Sequence, residues 1–159
     1  MSSYKYLGTV IDDKLNGCEN AQRIFKKANQ RLYFVRRLNK FKVSKKIMSL
    51  FYKSVVESII CFCICSWFGG CSKLEKKKIK RIVKNAKRLG CETCSIETIY
   101  HTSLLKQLNH ILKDQSHPLF NHFKYLPSGN RLSSIFSRTN RYKFSFVPSA
   151  IRAFNESNL

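Results

Sequence analysis

The spacing of apolar and polar residues changes period several times along this chain of 159 residues. Tyr4 to Ile11 (YKYLGTVI) alternates briefly and is rich in aromatic and β-branched side chains, which predicts a strand of about six to eight residues, ended by Asp12 and Asp13. From Glu19 to Leu38 the period lengthens. Ala21, Ile24, Phe25, Ala28, Leu32, Val35 and Leu38 recur at three- and four-residue steps, with Arg23, Lys26, Lys27, Arg31, Arg36 and Arg37 between them. The pattern is that of an amphipathic helix with a cationic outer face.

Ser44 suits the N-cap of a second helix, with Ile47, Leu50, Phe51, Val55, Ile59 and Phe62 as its apolar stripe. Its later part is apolar all round, which predicts the central, most buried helix, stopped by Gly69 and Gly70. Ser72 and Glu75 form a capping box for a third helix, with Leu74, Ile79, Ile82, Val83, Ala86 and Leu89 facing inward and Gly90 as the C-cap. A fourth helix is predicted from Ser95 to Lys113, burying Ile96, Ile99, Tyr100, Leu104, Leu108, Ile111 and Leu112. His117-Pro118, Pro127-Ser128-Gly129 and the polar run to Asn140 read as loop. Tyr142 to Val147 reads as a short strand, followed by a helical turn or two with Pro148 at the first position. The expected fold is mainly α: a small bundle of about four helices with a short strand at each end.

Charge changes this picture more than composition does. Thirty Lys and Arg face nine Asp and Glu, a formal net charge of +21, and the cations are spread along the whole chain. So large an excess repels itself unless a polyanion neutralises it, which makes nucleic acid the leading partner and an acidic membrane surface the second. The longest apolar run, Ile59 to Phe68, is about half of the roughly 20 residues a membrane span needs. No membrane helix and no secretion signal is predicted. The seven cysteines, an odd number, then read as reduced thiols of a cytoplasmic or nuclear protein.

Candidate chemistry is sparse. Asp12-Asp13 has the look of a paired-carboxylate magnesium site, but a third carboxylate and a presenting hairpin are needed, so the pair reads as a turn and helix start. Cys91-x-x-Cys94 has the spacing of a zinc half-site that His101 or Cys71 could complete, yet no second tight pair exists, and buried or incidental thiols are the expected reading. No His-x-Asp pair, glycine-rich phosphate loop or nucleophile elbow occurs. No cofactor or metal is therefore expected. What remains is basic surface interleaved with aromatics. The third helix, with Lys77, Lys80, Arg81 and Lys84, is its densest part, and Arg138, Arg141 and Lys143 beside Tyr142 add a stackable ring.

Seven segments in one order, YKYLGTVIDDKL, KKANQRLYFVRRLNKFKVSKKIMSLFYKSVVESII, SWFGG, RIVKNAKRLG, SHPLF, LPSG and RTNRYKFSFVPSAIR, resemble the C-terminal part of the reverse transcriptase of non-LTR (LINE-type) retrotransposons. The resemblance implies that Tyr6, Leu7 and Gly8 lie beside a primer end and that the basic face of the first helix tracks an RNA–DNA duplex. It also implies a palm upstream of Met1 whose sheet takes up the YKYLG strand, and no polymerase activity for this chain alone. Residues 1–15 would be a primer-grip-like segment, 16–115 a thumb-like helical domain and 116–159 a basic, loop-rich tail. Gly17 stands where that family usually has Trp, an expected loss of about 3 kcal/mol of aromatic burial, and Gly129-Asn130-Arg131 departs from a more basic motif.

A shorter stretch, residues 72–88 (SKLEKKKIKRIVKNAKR), resembles the basic N-terminal helix of the AlkB homologue 8 family, whose members modify tRNA through dioxygenase and methyltransferase domains that have no counterpart here. The leading expectation is thus a non-catalytic module that holds nucleic acid without reading sequence. The alternatives are an N-terminal segment of a tRNA-modifying protein and a structural protein that pairs through its apolar second helix.

Overall fold

The structure, a computed structural model, describes residues 3–158; residues 1, 2 and 159, the outer ends of the two expected terminal segments, lie outside the described residues. It begins with a β-hairpin, β1 (Ser3–Tyr6) paired antiparallel with β2 (Thr9–Asp12), with Tyr6 opposite Thr9. The alternating stretch therefore folds back on itself and is not one long strand. Leu7 and Gly8 form the two-residue turn with φ of 44° and 87°, the left-handed pair that matches the twist of a hairpin. Two side chains of the first helix, α1 (Cys18–Lys40), fasten the hairpin: Asn20 Oδ1 accepts from Val10 N at 3.0 Å, and Arg23 Nη2 donates to the Gly8 carbonyl. Asp12 Oδ1 accepts from Asn16 N at 2.9 Å, so this acid closes the connecting turn.

The α1 stripe is buried as its period predicts, with Ala28, Leu32 and Val35 fully enclosed. The second helical stretch differs. It runs through α2 (Lys45–Phe51), a π-helical segment (Tyr52–Glu57) and α3 (Ser58–Cys61). Its buried apolar residues are Met48, Tyr52, Val56 and Ile60, a strict step of four. On a pure α-helix that step drifts about 40° per turn; the wider π turn absorbs the drift and keeps all four facing the core. Ile47, Leu50 and Phe62, expected in the stripe, are instead on the surface at 56%, 67% and 50% exposure.

This stretch also stops well before the glycines. Phe62 leaves helical geometry and Cys63 is left-handed at φ 49°; the short α4 (Ile64–Trp67) then ends just ahead of Gly69-Gly70. Trp67 Nε1 donates to the Phe62 carbonyl at 3.0 Å and so occupies an acceptor that the broken helix sets free. Gly17 meets the same tryptophan. Its φ is 70°, and a Cβ there would lie 2.5 Å from the Trp67 carbonyl oxygen, so no side chain fits, and the expected loss of a buried aromatic at this position does not apply.

The next two helices, α5 (Lys73–Arg88) and α6 (Ile96–Lys113), begin at the serines expected: Ser72 Oγ accepts from Glu75 N at 3.4 Å and Ser95 Oγ from Thr98 N at 3.0 Å. Gly90 has φ 87°, as a C-cap glycine should. Of the expected inward residues on α5, Leu74, in the first turn, is exposed. The C-terminal strand is not formed. Residues 140–143 make a helical turn, α7 (Asn140–Lys143), capped by Thr139, and α8 (Phe146–Ser157) starts two residues before Pro148. A proline is tolerated there because the first-turn N–H groups have no helical partner in any case.

One apolar cluster joins α1, the π-containing helix and α5; a second joins α6, α8 and the loop carrying Phe123 and Leu132. Asn155 on α8 clamps that loop, its Oδ1 accepting from Leu132 N at 2.8 Å and its Nδ2 donating to Leu132 O at 3.0 Å. The aromatic series Trp67, Phe68 and Tyr100, with ring centroids 5.7 and 5.1 Å apart and the first pair edge to face, bridges the two clusters. The fold is mainly α, with its strands at the N-terminal end among the described residues.

Gly17→Ala is expected to cost more than about 2 kcal/mol of unfolding free energy in a urea titration. Cys63→Gly relieves a left-handed residue and should cost less than about 1 kcal/mol or add stability. Equal large losses from the two substitutions would show that the turn is not strained as described.

Candidate nucleic-acid interface

The cations of α1 divide into two groups. Arg23, Lys27 and Arg31, one turn apart, line a cleft of about 390 Å³ with Gly8 of the hairpin turn on one side and Ser58, Ile59 and Phe62 of the broken helix on the other. Arg23 is anchored to the Gly8 carbonyl, while its Nε is enclosed without a protein acceptor. Arg31 Nη1 donates to the Val55 carbonyl at 3.3 Å, tying α1 to the π segment. Lys27 is exposed with no ion-pair partner among the described residues. The other α1 cations, Lys26, Arg36, Arg37 and Lys40, are exposed outside this cleft, and Arg37 lies 5.4 Å from the centre of the Phe41 ring.

The ion pairs among the described residues all lie elsewhere: Lys53 with Glu92, Lys78 with Glu75, and Lys80 with Glu97. The α5 surface is therefore partly neutralised at Lys80, whereas Lys77, Arg81 and Lys84 are exposed and unpaired there. Arg138, Arg141 and Lys143 sit exposed on and beside α7, away from the cleft lining. Tyr6 and Leu7 at the hairpin tip are 57% and 76% exposed and flank a second groove that runs to Trp67. Sequence reasoning thus found the α1 cations but missed Phe62, because its apolar character in a helical run pointed inward.

The thiols are placed as buried or incidental groups. Burial pushes Cys61 and Cys65 up to about 11 and Cys71 up to about 12, which keeps them protonated and unreactive at neutral pH. Cys91 is buried and Cys94 exposed, and among the described residues no three His, Cys, Asp or Glu side chains converge as a metal would require. Among them also, no helix is long and apolar enough to cross a membrane.

Residues 19–58 match the family model described as alkylated DNA repair protein alkB homolog 8, N-terminal, about a quarter of the chain. The matched segment is α1, α2, the π segment and the first residue of α3, so it is not the lysine-rich helix of residues 72–88 where the sequence suggested that resemblance. It includes Arg23, Lys27 and Arg31 of the cationic cleft and Ser58 of the facing wall, but neither Ile59 nor Phe62. Searches among curated proteins and among solved structures gave no match. The expected resemblance to a reverse transcriptase finds no support in these comparisons.

Two glutamates give the fold opposite acid responses. The Ser72 hydroxyl, bonded to its carboxylate, holds Glu75 below the usual glutamate range; its contribution is complete above the unfolded value and is lost as pH falls through the lower folded one. Burial pushes Glu57 up, with Lys53 opposing, so its contribution is complete below the unfolded value and is lost as pH rises through the higher folded one. Glu75→Gln is expected to flatten the loss of stability between about pH 5 and pH 3, and Glu57→Gln to raise stability at about pH 7. Urea midpoints from about pH 3 to about pH 7 check both; unchanged pH profiles would refute the assignments.

Proposed function

We propose that this chain is a non-catalytic helical module that binds nucleic acid through the cleft between α1 and the π-containing helix, in the manner of an N-terminal segment of an AlkB homologue 8-like tRNA-modifying protein. The observation that carries the reading is the coincidence of the family match with the cleft: residues 19–58 include Arg23, Lys27 and Arg31, and Ser58 on the facing wall. Net charge adds to it. With +21 overall and no carboxylate paired to an α1 cation among the described residues, phosphate is the neutralising group this surface lacks. Contacts of this kind fix a backbone in place and carry no base information. The chemistry of modification would belong to other domains.

A binding titration with tRNA at several salt concentrations tests this. Affinity should fall steeply between about 50 and 200 mM salt. Lys27→Gln and Arg31→Gln should each reduce the slope of log affinity against log salt by roughly 0.7 to 0.9. Binding that ignores salt, or salt dependence untouched by both substitutions, would refute the cleft as the interface.

A further inference from the structure

The geometry of the same cleft points to its substrate class: we infer that it takes an unpaired nucleic-acid strand, with a base stacked on Phe62 and consecutive phosphates on Arg23, Lys27 and Arg31. The inference rests on the nucleic-acid reading above and adds a preference which that reading does not contain.

Three observations carry it. The first is spacing. Arg23, Lys27 and Arg31 are four residues apart on one helix, about 6 Å per step at a rise of 1.5 Å per residue. Consecutive phosphates of one strand are separated by a single sugar, a distance of the same order as this step, so the row can meet them one by one. The second is the ring. Phe62 is half exposed and lines the cleft opposite the cations, where its edge touches the hairpin turn: a Cβ on Gly8 would sit 3.5 Å from Phe62 Cε1. An aromatic next to a row of cations is the arrangement on which unpaired bases stack while their phosphates are neutralised. The third is unfilled donor capacity. Arg23 Nη2 is used by the Gly8 carbonyl, whereas Lys27, exposed and without an ion pair among the described residues, has its ammonium donors free for a phosphate oxygen.

Size and shape agree. A cleft of about 390 Å³ is within the range that holds a drug-sized group, the scale of one nucleotide. It is lined by the hairpin turn at Gly8 and by the broken helix at Ser58, Ile59 and Phe62, and in a duplex the base faces are stacked on one another and not free to meet the ring. An acidic peptide could use the cations but has no reason to need the ring.

The test compares a labelled oligouridine with an RNA–DNA hybrid of equal length, by fluorescence anisotropy at fixed salt. The wild-type chain should bind the single strand at least ten-fold more tightly. Phe62→Leu should lose about five-fold or more for the single strand, leave the hybrid unchanged and keep the same salt slope. Phe62→Tyr should retain the wild-type affinity. Circular dichroism of each variant checks that the fold is kept, which the half-exposed position of Phe62 favours. Equal salt-sensitive binding to both nucleic acids, with Phe62→Leu indifferent, would overturn the single-strand assignment while leaving nucleic-acid binding standing. Salt-insensitive or absent binding to both would overturn the two readings together.

Discussion

The hydrogen bond from Trp67 Nε1 to the Phe62 carbonyl is the contact on which the rest of the molecule depends. It stabilises the end of a helix inside a run of apolar residues that would otherwise continue. Because the helix ends there, Phe62 turns to the surface and Ile64 returns to the core. The backbone oxygen of the same tryptophan lies against Gly17 and accepts from the Cys71 thiol at 3.2 Å, and that thiol also lies 3.3 Å from the Gly17 carbonyl. One residue thus links the start of α1, the break after α3 and the entry to α5. Its ring, packed edge to face with Phe68 and through it against Tyr100, joins the first apolar cluster to the second.

Charge is the second constraint. Nine acids cannot neutralise thirty cations, and the acids that do pair among the described residues are spent on Lys78 and Lys80 of α5 and on Lys53 of the π segment. The α1 row is left with hydrogen bonds to carbonyls, Gly8 for Arg23 and Val55 for Arg31, which hold the guanidinium groups in place without cancelling their charge. Such a surface is positioned by the fold and remains electrostatically unsatisfied, a combination suited to holding a polyanion. The π segment contributes by putting the Val55 carbonyl within reach of Arg31 while Tyr52 and Val56 stay buried.

Local signals were legible wherever the deciding interaction is local. Ser72, Ser95 and Gly90 could be assigned because a cap involves a side chain and a backbone group three or four residues away. The α1 and α6 stripes were legible because a long regular period has one solution. The hairpin was misread as a single strand because Leu is an uncommon choice for a left-handed turn position, and the C-terminal strand because a five-residue alternation fits a helix start equally well.

The sequence by itself therefore determined the class of the protein: mainly helical, strongly cationic, without a recognisable catalytic constellation, and with the cations of α1 on its outer face. Tertiary structure alone decided which side of the second helix is buried, that Phe62 faces Arg23, Lys27 and Arg31 across a cleft, and that Gly17 must be glycine. The reason is physical. Period, charge and capping are properties of neighbours along the chain, whereas the break at Phe62 and the fit at Gly17 are set by Trp67, five residues distant in one case and fifty in the other.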